Sequence, residues 1–236
     1  MSTPPRTLNE LFFGAMDRSA SRPVAMRVKR GGTWVGTSFA ELLSQVQAFS
    51  IGLHELGVNA GDRLAILSEN RPEWAVTDFA CLACRCADVP VYPTLPAHQI
   101  EYILRDSGAV AVCCSSAAQL GKILEIRGNL PALKTIVVFD GDAATGGALT
   151  FESVLAKGRA AIPKYPTWRA DALAVKPDDL ATLIYTSGTT GDPKGVMLTH
   201  GNITSDVMAG LQVLDLRQSD ECLSFQLTPE LVETIG

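Results

Sequence analysis

An α/β fold with a mainly parallel sheet covered by helices is the architecture that this 236-residue sequence predicts. Three features predict it. Short apolar runs alternate with helix-like stretches through residues 38–139. The runs are apolar at successive positions, as strands buried on both faces are. The helix-like stretches carry their own start and stop signals.

The first marked helix opens at Ser38, which has the Ser-x-x-Glu spacing of a capping box with Glu41. Apolar residues then return at Leu42, Leu43, Val46, Phe49, Leu53 and Leu56 before Gly57, a period that lays them on one helical face. Residues 63–67 follow as a short apolar strand. Asn70, Pro72 and Glu73 supply a cap, an early proline and an acidic first turn for a second helix. The alternation continues with a strand at 89–92, a helix at 97–106, an apolar run at 109–114, a helix near 117–127 and a strand at 135–139. Residues 141–150, a stretch of Gly, Ala and Thr, read as an exposed loop. Residues 157–179, with Pro163, Pro166 and Pro177 and no clear periodicity, read as a connector. Beyond them 180–185 is strand-like, 186–195 is a polar Gly-rich loop, 196–198 is strand-like again and 200–214 has helical character. The loop therefore hangs between two strands.

The 47% apolar content can bury a sizeable core. A formal charge of -5, from 20 Lys and Arg against 25 Asp and Glu, argues against a nucleic-acid partner, which needs a concentrated basic face. The basic cluster Arg22, Arg27, Lys29 and Arg30 reads as a solvated strand edge. No apolar run reaches the ~18 residues of a membrane helix and the start carries no secretory signal, so cytoplasm is the expected compartment, with peripheral membrane association left open. Six cysteines, three of them crowded as Cys81, Cys84 and Cys86, fit reduced core thiols. Zinc would need a further ligand, and His54, His98 and His200 lie far along the chain.

The chemistry is concentrated in Thr186-Ser187-Gly188-Thr189-Thr190-Gly191-Asp192-Pro193-Lys194-Gly195, where three glycines, four hydroxyls and one lysine fall within ten residues. Glycines let backbone N–H groups approach anionic oxygens, hydroxyls donate further hydrogen bonds, and the lysine adds a movable positive charge. The pattern is that of a polyphosphate clamp. It differs from the common P-loop, because Pro193 precedes the lysine, Gly195 follows it, and a strand rather than a helix comes next.

The string IYTSGTTGDPKGVMLTHGNI at 184–203 resembles the signature of AMP-forming acyl-CoA synthetases. GDRLAILSENRPEW at 61–74 and DVPVYPTLPAHQIEYILRDSGAVAV at 88–112 resemble the long-chain fatty-acid branch, and the likeness runs from about Leu8 to Phe225. The resemblance implies the N-terminal part of the adenylate-forming fold. It also implies a two-step reaction, in which a carboxylate attacks ATP to give acyl-adenylate and pyrophosphate, and coenzyme A then takes the acyl group. ATP, Mg²⁺ and coenzyme A are the implied cofactors, and a fatty or other carboxylic acid the implied partner. Thr186, Ser187, Gly188, Thr189, Thr190, Gly191 and Lys194 are the implied phosphate-binding residues, with no catalytic or metal-binding residue assigned. His200 and Asn202, in a Thr-His-x-Asn-like segment, are read as capping the next helix and tying the loop down, while Asp192 and Pro193 shape the turn.

Residues 1–225 are expected to be a partial N-terminal adenylate-forming domain, and residues 226–236 an atypical tail unlike the family. Two functions follow: a fatty-acid–CoA ligase represented by its N-terminal portion and inactive alone, or a non-catalytic module that binds ATP, pyrophosphate or protein.

Overall fold

The structure, a computed structural model, describes residues 4–141, 145–186, 193–214 and 220–222. Its N-terminal part folds as helix α1 (Leu8–Arg18), the hairpin strands β1 (Met26–Arg30) and β2 (Thr33–Thr37), and helix α2 (Phe39–Glu55). Then come β3 (Arg63–Leu67), α3 (Pro72–Ala83), β4 (Ala87–Val91), α4 (Ala97–Ser107), β5 (Ala111–Cys114), α5 (Ala117–Ile126), β6 (Thr135–Val138) and the two-residue β7 (Leu149–Thr150). The chain continues through α6 (Phe151–Ala161), α7 (Trp168–Leu173), β8 (Leu180–Thr186), β9 (Lys194–Thr199) and α8 (His200–Val213).

Seven of these strands form one sheet in the order β7-β6-β5-β3-β4-β8-β9, in which only the β8–β9 pair runs antiparallel. All four predicted strand segments lie side by side in it. The alternation of side chains explains why those segments read as continuously apolar. Leu64, Ile66, Ala111, Cys113 and Val137 face one core with residues of α1, α2, α3, α6 and α7. Ala65, Leu67, Val112, Cys114, Ile136 and Val138 face a second core with α4 and α5.

Local chemistry sets the ends. At α2 the predicted capping box is present: Glu41 N–H donates to Ser38 Oγ at 3.2 Å, and Ser38 N–H donates back to Glu41 Oε2 at 2.8 Å. Thr7 and Glu10 build the same device at α1. The N-cap of α3 is a correction: it falls on Arg71, one residue after Asn70, and has no side-chain cap bond, so Pro72 and the acidic Glu73 mark that start alone.

Residues 157–179, read as a connector, contain the second half of α6 and all of α7. Pro163 opens a short 3-10 turn at Ile162–Lys164 instead of ending all structure, because a proline in the first turn of a helix loses no hydrogen bond. Tertiary anchors hold the stretch: Trp168 Nε1 donates to Ser50 Oγ at 2.7 Å and Tyr165 Oη to Glu55 Oε1 at 2.8 Å. The 141–150 stretch likewise ends as the edge strand β7. Arg27, Lys29 and Arg30 of the basic cluster are exposed on β1, where Arg30 reaches Glu73, whereas Arg22 precedes the hairpin, half-buried over the Phe39 ring.

Candidate functional site

β8 and β9 form a hairpin at one edge of the sheet, and its register runs from Leu180↔Thr199 to Thr186↔Lys194. Thr186 and Lys194 therefore face each other on the last rung, where the polar loop leaves one strand and returns to the other. Both are exposed. Ser187, Gly188, Thr189, Thr190 and Gly191, the other phosphate-binding candidates, lie outside the described residues. Lys194 pairs with no acid among the described residues.

The hairpin is fixed from below. Tyr185, 7% exposed, donates its hydroxyl to Asp106 Oδ2 on α4 at 2.6 Å. Burial, and then the Asp106 carboxylate, push the phenol well above its ordinary range, so it stays protonated and donating. Opposite it is Gly195, where an added Cβ would come within 3.0 Å of Tyr185 Cζ. Gly195 thus serves ring packing across the strands, a role that its place in a glycine-rich string conceals.

Attachment to the next strand is sparse: among the described residues β4 and β8 pair at Asp88↔Thr182. Two residues on in β4, and turned to the same neighbour, Pro90 has no N–H to donate. The Tyr185–Asp106 bond and the packing of Leu183 on the second core add to the hold on β8.

The Thr199-His200-Gly201-Asn202 segment behaves partly as expected. Asn202 Oδ1 accepts from Thr199 N–H at 3.0 Å and Thr199 Oγ1 accepts from Asn202 N–H at 3.2 Å, so the cap is a Thr199–Asn202 box. His200 is not part of it. Its ring is 1% exposed, and Nδ1 accepts the backbone N–H of Leu8 at 3.3 Å, which ties α8 to the start of α1. Only the tertiary fold brings residues 192 positions apart together, so no local pattern could have shown this bond.

Burial lowers the His200 pKa from its ordinary value against the opposing Asp179 charge. Since the folded pKa lies below the unfolded one, the folded state resists protonation, and this part of the stability is lost as pH falls through about 6.5. Protonated Nδ1 could not accept from Leu8 either. Between about pH 8 and pH 5 the wild-type melting temperature is expected to fall relative to that of His200→Gln. Parallel melting curves would show that His200 carries no such linkage. Asp78, pushed up to about 7 by burial, acts in the opposite sense, and the difference between the two proteins removes it.

Beyond the loop, large apolar side chains are exposed on β9 and α8: Met197 is 66% and Val213 82% exposed, and Val196, Val207 and Leu211 are exposed as well. No described helix is long and apolar enough to cross a membrane.

Comparison with known proteins gives consistent matches. The AMP-binding enzyme family matches residues 14–227. The long-chain-fatty-acid–CoA ligase FadD15 of Mycobacterium tuberculosis is 39% identical over 176 residues, 75% of this chain and 28% of its own length. The peroxisomal long chain acyl-CoA synthetase 7 of Arabidopsis thaliana is 32% identical over 234 residues, covering 93% of this chain and 32% of its own. Among solved structures, the anthranilate CoA ligase AuaEII in complex with anthranoyl-AMP superposes with a TM-score of 0.70 at 26% identity, over 92% of this chain and 39% of that one. A Mycobacterium tuberculosis fatty acyl CoA synthetase shares the fold, with a TM-score of 0.67 at 23% identity over 90% of this chain and 38% of that one. The chain spans about a third of the length of the curated relatives it matches.

Proposed function

The chain belongs to the AMP-binding enzyme family, and from that premise we propose that its hairpin loop holds the phosphates of ATP in a long-chain fatty-acid–CoA ligase. The observation that carries the proposal is the last rung of the hairpin. Lys194, which has no ion-pair partner among the described residues, stands opposite Thr186 on the rung where a sequence rich in glycine and threonine leaves one strand and returns to the other. A polyphosphate lying over that rung meets a point charge and several neutral donors, so the loop's contribution is positioning and charge stabilisation of the departing pyrophosphate. The acid substrate is a fatty acid, as the names of the curated relatives suggest, and coenzyme A is the acyl acceptor.

Among the described residues no three His, Cys, Asp or Glu side chains gather in a way that could hold a metal ion. No ligand is assigned to Mg²⁺ and no step is routed through it.

Residues 1–225 are proposed to be part of a larger adenylate-forming domain, and the exposed apolar side chains on β9 and α8, Met197 and Val213 among them, fit surface that the remainder of such a domain would cover. The tail 226–236 lies outside the described residues. On this reading the 236 residues by themselves form no acyl-adenylate, because groups that act as a unit fail together when most are missing. Purified chain given ATP, Mg²⁺ and a long-chain fatty acid is expected to release no pyrophosphate, while a full-length relative assayed beside it does. Fatty-acid-dependent release from the chain would refute the partial-domain reading.

A non-catalytic module that binds ATP, pyrophosphate or protein is the second reading. A titration of the chain with ATP and with pyrophosphate addresses the clamp itself, and no saturable binding of either would remove it.

A further inference from the structure

Asp106 sits in the last turn of α4, where the unpaired carbonyls of the helix end make an acid locally unfavourable. Its neighbour Arg105 bonds back to Glu101 within the helix, the ordinary use of a charge at such a position. Asp106 is exposed and enters no ion pair among the described residues. Its carboxylate instead accepts the Tyr185 hydroxyl at 2.6 Å, the short length of a charge-assisted bond. The hairpin, not the helix, gives this acid its partner.

That bond bears on both strands of the last rung. Tyr185 immediately precedes Thr186, and it stands opposite Gly195, which immediately follows Lys194. The end of the ring that Asp106 holds lies against that glycine: an added Cβ there would be 3.0 Å from Tyr185 Cζ and 3.2 Å from Tyr185 Oη. The pairing of β8 with β4 at Asp88↔Thr182 comes four residues before Thr186, so the ring stands nearer the rung than that ladder contact does.

We propose that Asp106 is a positioning residue for ATP: by holding the Tyr185 hydroxyl it sets where Thr186 and Lys194 present their donors to the phosphates. The proposal rests on the phosphate-clamp reading of the loop. Asp106 touches no phosphate in it, since a carboxylate repels one. That repulsion gives the test its sign. Charge alone predicts that removing Asp106 tightens ATP binding, whereas lost positioning predicts that it weakens.

ATP is titrated into the 236-residue chain and into Asp106→Ala, Asp106→Asn, Tyr185→Phe and the double variant that joins Asp106→Ala to Tyr185→Phe. Asp106→Ala is expected to weaken ATP binding roughly 2- to 30-fold, the range for a residue that acts without touching the ligand. Asn keeps an acceptor without the charge and should restore part of the loss. Tyr185→Phe keeps the ring on Gly195 and removes the same bond. It should therefore match Asp106→Ala, and the double variant should be no weaker than either. ATP binding that is unchanged or tighter in Asp106→Ala would overturn the proposal, whatever the melting temperature does. So would losses that add in the double variant, because the two groups would then have separate duties. Hydrogen exchange without ATP gives a second readout: Asp106→Ala should speed exchange at 183–186 and 194–197 and leave 63–67 and 111–114 protected. Equal exchange in the two proteins removes Asp106 from the support of the hairpin. A wild-type chain that takes up no ATP overturns the clamp itself, an outcome distinct from a clamp that binds ATP and ignores Asp106.

Discussion

Gly158→Ala is expected to lower the melting temperature by roughly 6–12 °C, the equivalent of about 3 kcal/mol in a chain of this size. Helix propensity alone gives the opposite sign, since Ala in a helix interior is worth about 1 kcal/mol more than Gly. The difference lies in how α2 and α6 cross. A Cβ on Gly158 would sit 1.7 Å from Ala48 O and 2.8 Å from Gly52 N, and a Cβ on Gly52 would sit 2.3 Å from Val154 O. The two backbones touch, so there is no flexible side chain to move aside and the helices themselves must separate.

Separation would disturb what closes around the crossing. Phe49 and Phe151 stack at 4.6 Å, Phe151 meets Phe139 edge-on at 5.4 Å, and Lys164 pairs with Glu55 at 3.0 Å. Gly121 is the control. It lies on the exposed side of α5 with nothing within 4 Å of an added Cβ, so Gly121→Ala should stabilise by about 0.5–1 kcal/mol. Thermal melts of the two variants beside wild type decide the matter. If both glycines respond with the same sign, the close α2–α6 contact is wrong.

The same glycine shows why part of the fold was legible in the sequence and part was not. Strands β3, β4, β5 and β6 declare themselves because both their faces are buried, and a run such as 111–114 needs no tertiary knowledge to be read. Helix α2 declares itself through Ser38 and Glu41. Helix α6 does not, because Gly158 stands where a breaker would, and its reason for being there is a backbone on another element. Strand β4 begins two residues earlier than its apolar run, since Asp88 interrupts the pattern while lying 4% exposed opposite Thr182. At the candidate site the loop string was readable from composition and spacing alone. The hairpin pairing places Thr186 opposite Lys194, whereas the duties of Gly195 and His200 depend on Tyr185 and on Leu8 and so had no local signature.

Replacing Lys194 by Ala is expected to weaken ATP binding roughly 10- to 150-fold, the value of one charge-assisted contact of about 1.5–3 kcal/mol. Lys194 is the one cation of the ten-residue loop, and it stands at the last rung of the hairpin opposite Thr186. It has no ion-pair partner among the described residues, so its removal breaks no salt bridge there. An exposed side chain at a loop mouth also packs against little, and the change in melting temperature should stay within that of an ordinary surface substitution. The effect therefore separates from stability, which is what distinguishes a ligand contact from a structural one. A full-length relative carrying the same ten residues is the suitable host for turnover, and the 236-residue chain for direct ATP titration. Lys194→Arg serves as a check on charge, since it keeps the cation but replaces the compact ammonium with a planar fork. Partial recovery with Arg and none with Ala supports a phosphate contact through charge. ATP affinity unchanged by Lys194→Ala in both hosts would remove the lysine from the clamp, and a melting temperature lowered by many degrees would make it a structural residue, leaving phosphate binding to Thr186 and the glycines and hydroxyls of the loop.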